Sequence, residues 1–151
     1  MELDRKNWAI LEALQQDARL TLTELARRVA LSVPAVTERV KRLEEAGVIT
    51  GYHADVAPQQ VGYGLSALIG INCAQPYKNR LLDTLRAAPE VLECCHVTGS
   101  DSYIIKVVTR DTRHLEAFIG RINHFGETRT SIVLSVPIPP RAIQPCTPDG
   151  T

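Results

Sequence analysis

Between Thr21 and Gly47 the chain carries two helix starts and one helix stop with almost no residues to spare. Thr21-Leu22-Thr23-Glu24 fits the S/T-x-x-E capping box, in which a hydroxyl and a carboxylate each satisfy a main-chain N–H orphaned at a helix start. Leu22, Leu25, Ala26 and Val29 then recur at i, i+3, i+4 and i+7, which predicts a short amphipathic helix. Ser32 can cap a second helix, with Pro34 tolerated in its first turn because that N–H would have no intrahelical partner. Val36, Val40 and Leu43 are its buried stripe, and Gly47 stands where a helix end favours a left-handed residue. Only Ala30 to Ser32 separate the two. Upstream, Leu3, Ile10, Leu11 and Leu14 share one face of a first helix, about Asp4 to Gln16, with Asp4 in its acidic first turn. Three helices with a tight turn between the last two form the helix-turn-helix layout. That layout frees the face opposite Val36, Val40 and Leu43 for a groove.

Downstream the pattern changes. Val48 to Val56 alternates loosely and is expected to leave the helices as a strand, with Ala57 to Gly64, containing Pro58, Gly62 and Gly64, as a linker. Leu65, Ala67, Ile69, Ile71 and Cys73 alternate as a strand, and Leu81, Leu82, Leu85 and Ala88 give a helix stopped by Pro89. Two strands follow, about Val91 to Thr98 and Tyr103 to Thr109, around the turn-rich Gly99-Ser100-Asp101-Ser102. Leu115, Phe118, Ile119 and Ile122 mark a helix capped by Asp111 or Thr112, and Thr130, Ile132, Leu134, Val136 and Ile138 alternate in a last strand. The order β-α-β-β-α-β is that of the ferredoxin-like motif. The expected architecture is therefore α+β: a winged-type helix-turn-helix domain over 1–53, a strand linker over 54–64, and a ferredoxin-like domain over 65–138. A proline-rich tail over 139–151 should be extended or disordered.

Composition narrows the function classes. A hydrophobic fraction of 44% and a charged fraction of 23% belong to a globular protein. No apolar run is long enough to span a membrane, and MELDRKNWAI mixes acids with bases as no secretory signal does, so a cytoplasmic location is expected. A formal net charge of zero argues against nonspecific coating of nucleic acid. Residues 24 to 43 nevertheless hold five cations (Arg27, Arg28, Arg39, Lys41, Arg42) and two acids (Glu24, Glu38), a local excess of +3. Charge alone leaves open whether that face reads a ligand or is merely solvated.

The match of LDRKNWAILEALQQDARLTLTELARRVALS, VPAVTERVKRLEEAGVITGYHADVAP, VTGSDSYIIKV and TRTSIVLS, in this order and over nearly the whole chain, resembles the leucine-responsive regulatory protein/AsnC family, the feast/famine transcription regulators. The resemblance implies a DNA-binding regulator whose C-terminal domain dimerises, often assembles dimers into octamers, and binds small effectors, commonly amino acids. Three departures stand out. Ala30 replaces a usual turn glycine, Ser100 and Ser102 stand where the family's loop often has acids, and the turn before Thr128-Arg129-Thr130 is shorter than in many members.

Residues near the start of the third helix and on its outer face are expected at DNA: Ser32, Val33, Pro34, Ala35, Thr37, Glu38 and Lys41. Thr37 can bond a base or offer a methyl to thymine, Glu38 can accept from cytosine, and Lys41 can reach guanine. Arg42, Arg27 and Arg28 suit phosphates. Arg39, beside buried Val40, either joins them or pairs with a nearby carboxylate. By resemblance the effector pocket lies at Gly99, Ser100, Asp101, Ser102 and Tyr103, facing Thr128, Thr130 and Ser131 across a subunit interface. Asp101 either contacts a ligand, caps the turn or faces solvent.

Other motifs carry less. Gly62-Tyr63-Gly64-Leu65-Ser66-Ala67 matches G-x-G-x-x-A, but a strand rather than a helix follows, so it reads as a hinge. Cys73, Cys94, Cys95 and Cys146 form no CxxC pair and are expected as reduced thiols on buried strands; a thiol or metal sensor at Cys94, Cys95 and His96 lacks a further close ligand. His53, His96, His114 and His124 have no metal-ligand spacing, and no cofactor or catalytic constellation is expected. The rival readings are a DNA-organising protein without effector and, less favoured, a ferredoxin-like enzyme or metabolic regulatory subunit.

Overall fold

The computed structural model describes residues 3–146 and divides the chain into two compact units, one comprising the residues up to Ala54 with those from Ile138, the other Asp55–Pro137. The first unit is built from α1 (Arg5–Gln16), α2 (Leu22–Val29) and α3 (Val33–Glu45). Asp4 is the N-cap of α1 rather than part of its first turn, accepting from the Asn7 N–H at 2.7 Å. The capping box of α2 is present in both directions between Thr21 and Glu24, and Ser32 caps α3 through the Ala35 N–H. These caps satisfy main-chain donors that the helices cannot. Ile10, Leu25, Val36 and Leu43 are fully buried where the three apolar stripes meet, with Leu11, Val29 and Val40 around them. Leu22, expected on that stripe, is 39% exposed because it opens α2 at its rim.

Ala30 closes α2 with φ +53° and ψ +57°, the left-handed conformation that usually calls for glycine. The Lys6 ammonium lies against the same turn and donates to the carbonyl of Val29 at 2.7 Å. A cation at a helix C-terminus satisfies an orphan acceptor and complements the dipole, which helps hold a turn that alanine strains.

The expected strand over Val48 to Val56 does not form: apart from turns at its start the segment has no regular structure, and Val56 is 63% exposed. A strand needs a neighbour to take its hydrogen bonds. Among the described residues the single sheet has its four places filled by other segments.

In the second unit β1 (Leu65–Cys73), α4 (Lys78–Arg86), β2 (Val91–His96), β3 (Tyr103–Thr109), α5 (Thr112–Ile122) and β4 (Gly126–Ile132) realise the βαββαβ order. The strands lie as β2-β3-β1-β4, every neighbouring pair antiparallel. Ala67, Ile69, Ile71, Ile105 and Val107 point to one face and pack with Leu81, Leu85, Phe118 and Ile122 of the helices. β4 starts earlier than its apolar alternation suggests and stops at Ile132, leaving Leu134 95% exposed. Its register with β1 ends at Ala67–Ile132, with one further bond from the Val133 N–H to the Ser66 carbonyl at 2.9 Å, although β1 itself runs on to Leu65 beside β3. Of the thiols expected on buried strands, Cys73 is buried and Cys94 half-buried, but Cys95 is exposed on edge strand β2 and Cys146 is exposed in the tail.

Candidate nucleic-acid interface and effector loop

The buried stripe of α3 turns the opposite side outward, and there Ser32, Val33, Pro34, Thr37, Glu38, Lys41 and Arg42 are exposed, with Ala35 half-buried among them. Arg27 and Arg28, also exposed, stand in the last turn of α2. Several groups on this surface are already engaged. The Thr37 hydroxyl donates to the Val33 carbonyl at 2.8 Å, leaving its lone pairs and methyl for a partner. Arg42 pairs with Glu38 at 2.7 Å and Lys41 with Glu45 at 3.7 Å, both one helical turn apart and largely exposed. Such pairs are weak in water and readily exchanged for a phosphate. Among the described residues neither Arg27 nor Arg28 forms an ion pair.

Arg39 is different. It donates to Asp4 and to Asn7, each at 2.8 Å, and so ties α3 to the start of α1. The Asn7 N–H and the Arg39 guanidinium hold the Asp4 carboxyl below its usual range. Of the five local cations, this one positions α3 instead of facing outward.

In the second unit the candidate loop between β2 and β3 is held to β1. Ser102 donates its N–H to the Ile71 carbonyl at 2.8 Å, and its hydroxyl accepts from the Cys73 N–H at 3.2 Å. Tyr103 is buried in the core, its ring 5.1 Å from that of His96. Gly99 (φ +115°) and Ser100 remain exposed.

Asp101 reaches across the open face of the sheet. Its carboxylate accepts from Arg129 on β4 at 2.5 Å and lies over Gly70 of β1, where a Cβ would come within 2.5 Å of Oδ2. Gly70 and Arg129 are register partners, so glycine leaves the room in which the ion pair crosses β1. Thr128 and Thr130 pair with Ile71 and Ile69 and belong to the helix-covered face, whereas Ser131 pairs with Leu68 on the open face with Arg129. The three candidate residues of β4 are thus split between two faces, and the residue brought to Asp101 is Arg129. Arg129 was missed because only the register shows it; the signal available was a glycine at the centre of an apolar strand.

A second cluster was also missed. Glu90, 6% exposed in the turn before β2, accepts from His114 Nε2 at 2.9 Å and from Arg121 at 2.6 Å, both on α5. Burial pushes its carboxyl up, but the hydrogen bonds from Arg121 and His114 outweigh burial and hold it at about 2. It fastens α5 to the turn between α4 and β2. Among the described residues no group of three or more His, Cys, Asp or Glu is placed to hold a metal, and no helix is long and apolar enough to cross a membrane.

Comparison with known proteins joins the two units. Residues 3–50 match the family model for a winged helix-turn-helix DNA-binding domain, and residues 66–143 match that for the Lrp/AsnC ligand-binding domain. The regulatory protein AsnC of Escherichia coli (strain K12) is 38% identical over 149 residues, covering 95% of this chain and 97% of that one. A transcriptional regulator of Neisseria meningitidis in complex with L-methionine superposes with a TM-score of 0.88 at 32% identity, covering 95% of this chain and 97% of the other. The feast or famine regulatory protein of M. tuberculosis complexed with L-methionine gives a TM-score of 0.88 at 37% identity, covering 95% of this chain and all of the other (100%).

Proposed function

The chain belongs to the Lrp/AsnC family of transcription regulators, and we propose that it reads double-stranded DNA as a homodimer whose affinity or assembly an amino acid adjusts. The observation that carries this reading is the division of labour on α3: Arg39 turns inward to Asp4 and Asn7, while Thr37, Glu38, Lys41 and Arg42 face outward. A helix presented in this way enters a major groove with its early residues at base edges and its cations at phosphates. Val33, Pro34, Ala35 and Thr37 then meet the bases, and Arg27, Arg28 and Arg42 the backbone.

The sheet supports a dimer. Its helices cover one face only, and on the open face Leu68 is 42% exposed beside half-buried Ile104. Apolar side chains at the centre of an open antiparallel sheet favour a second copy, related by a two-fold axis that presents two α3 helices to successive grooves. Dimers can assemble further, up to octamers. The two structural relatives with bound L-methionine make an amino acid the leading effector class. The loop Gly99–Tyr103 offers main-chain groups for its carboxylate and ammonium. The protein works by binding, without catalysis or cofactor, in the cytoplasm.

The test is a mobility shift of promoter-sized DNA fragments by the full-length protein with and without L-methionine, paired with a thermal shift. A ligand present at 100 times its dissociation constant stabilises by about 2.7 kcal/mol. A retarded band that responds to methionine or another amino acid supports the whole reading. Should no amino acid move either the melting temperature or the band, the sensing half fails and the DNA-binding half stands.

A further inference from the structure

The end of the chain returns to its beginning. Residues from Ile138 cluster with those up to Ala54, so the intervening domain, Asp55–Pro137, is joined to the DNA-binding unit by chain at both of its ends. The Gln15 side chain bonds the returning segment. Gln15, exposed near the end of α1, accepts from the Ile143 N–H through Oε1 at 2.8 Å and donates from Nε2 to the carbonyl of the same residue at 3.2 Å. A carboxamide carries a donor and an acceptor side by side, as a peptide group does, so Gln15 takes the place of a neighbouring strand. The Ile143 side chain contributes little, being 74% exposed. What is recognised is the main chain of Ile143. Pro139, Pro140 and Pro145 lie on either side of it, and their fixed φ leaves the segment less freedom to lose on docking.

We propose that Gln15 is a docking site for the protein's own tail, and that the docked tail is a strap restricting how α3 is presented to DNA. Without it the DNA-binding unit hangs on a single connection that contains a 3-10 turn over Pro58–Val61 and Gly62 at φ +94°. A unit held by one short linker samples many orientations, and a second attachment removes most of them. In a dimer that restriction selects the spacing of the two half-sites. This consequence rests on the dimeric DNA-reading role proposed above; the docking does not. Two neutral hydrogen bonds in contact with solvent make a reversible contact, as a strap that opens on demand requires.

Hydrogen exchange at residue resolution on the full-length protein tests the docking by itself. The Ile143 amide should be protected, and Gln15→Ala should return it to the rate of an unprotected amide, with Gln15→Glu, which keeps the acceptor, intermediate. The DNA arm uses duplexes with two half-sites at stepped spacings. The wild type should prefer one spacing by about tenfold, and Gln15→Ala should flatten that preference, because the second attachment acts through effective concentration. An unprotected Ile143 amide in the wild type overturns the docking. Lost protection with an unchanged spacing preference overturns the strap's role, as does a wild type indifferent to spacing. If neither protein binds DNA at any spacing, the DNA-reading proposal has failed and the strap's role falls with it, while exchange still decides the docking.

Discussion

The outer face of α3 and the loop between β2 and β3 are both polar and exposed in part, one inside the segment matched to a DNA-binding model and the other inside that matched to a ligand-binding model, yet they hold their polar groups differently. On α3 the pairs Glu38–Arg42 and Lys41–Glu45 are local, exposed and easily exchanged. In the loop Asp101 is committed to Arg129 across β1, and Ser102 to the end of β1 at Ile71 and Cys73, while Tyr103 is core. On α3 the pairs can be exchanged for a partner's groups at little cost. The loop must break or share internal bonds before its side chains can serve a ligand, and so favours recognition by main-chain groups.

The largest expected effect separates the two units. Glu90→Gln removes the charge that holds Arg121 and His114, and should destabilise the sheet unit by about 2 kcal/mol, since removing one partner strands the other. The helix-turn-helix unit should be unmoved, so a scan that resolves two transitions should show only one shifting. The same residue sets an acid dependence. Its folded value of about 2 lies below the ordinary 4.5, so its contribution is complete above about pH 4.5 and is lost as the pH falls toward 2. Stability followed from pH 5 to pH 2 should fall more steeply in the wild type than in Glu90→Gln. Parallel curves would mean that Glu90 is not the group responsible.

A smaller effect is expected in the helical unit. With Ala30 at φ +53°, Ala30→Gly should relieve backbone strain and raise stability by up to about 1 kcal/mol, less whatever the looser unfolded chain gives back. An unchanged or lower melting temperature would show that the Lys6 contact already offsets the strain. Smallest of all, Asp101→Ala should leave effector-free DNA affinity within about twofold, because Asp101 belongs to the sheet unit and is not among the residues proposed to meet DNA. The change should appear instead in any response to an amino acid, through the freed Arg129. A large loss of DNA affinity in Asp101→Ala would mean that the loop and the reading helix are not separable.

What was legible in the sequence follows the same division. Caps and stripes of α2 and α3 depend on residues three or four apart, so Thr21 with Glu24, the Ser32 cap and the Val36-Val40-Leu43 stripe could be read directly, and the βαββαβ order emerged from alternating strands and helically spaced apolar residues in turn. Features set by pairing could not. Among the described residues Val48–Val56, for all its loose alternation, has no neighbouring strand, and β4 leaves the register with β1 at Ile132 although its apolar pattern runs on. Arg129 became visible only through its register with Gly70, and the Glu90–Arg121 pair joins residues 31 apart in the chain. Arg39 was legible by half: its neighbour Val40 placed it near the core, but its partners Asp4 and Asn7 lie on another helix.

The outward face of α3 is tested by the salt dependence of DNA binding in Lys41→Ala, Arg42→Ala and Arg39→Lys. Binding by the wild type should fall steeply with salt. Each of the first two variants should weaken it and make the log–log slope shallower by roughly 1 per phosphate contact and protomer. Arg39→Lys, which keeps the charge but not the forked geometry that spans Asp4 and Asn7, should lower the melting temperature and leave the slope unchanged. Wild-type affinity and slope in both Lys41→Ala and Arg42→Ala would contradict the assignment of this face to DNA.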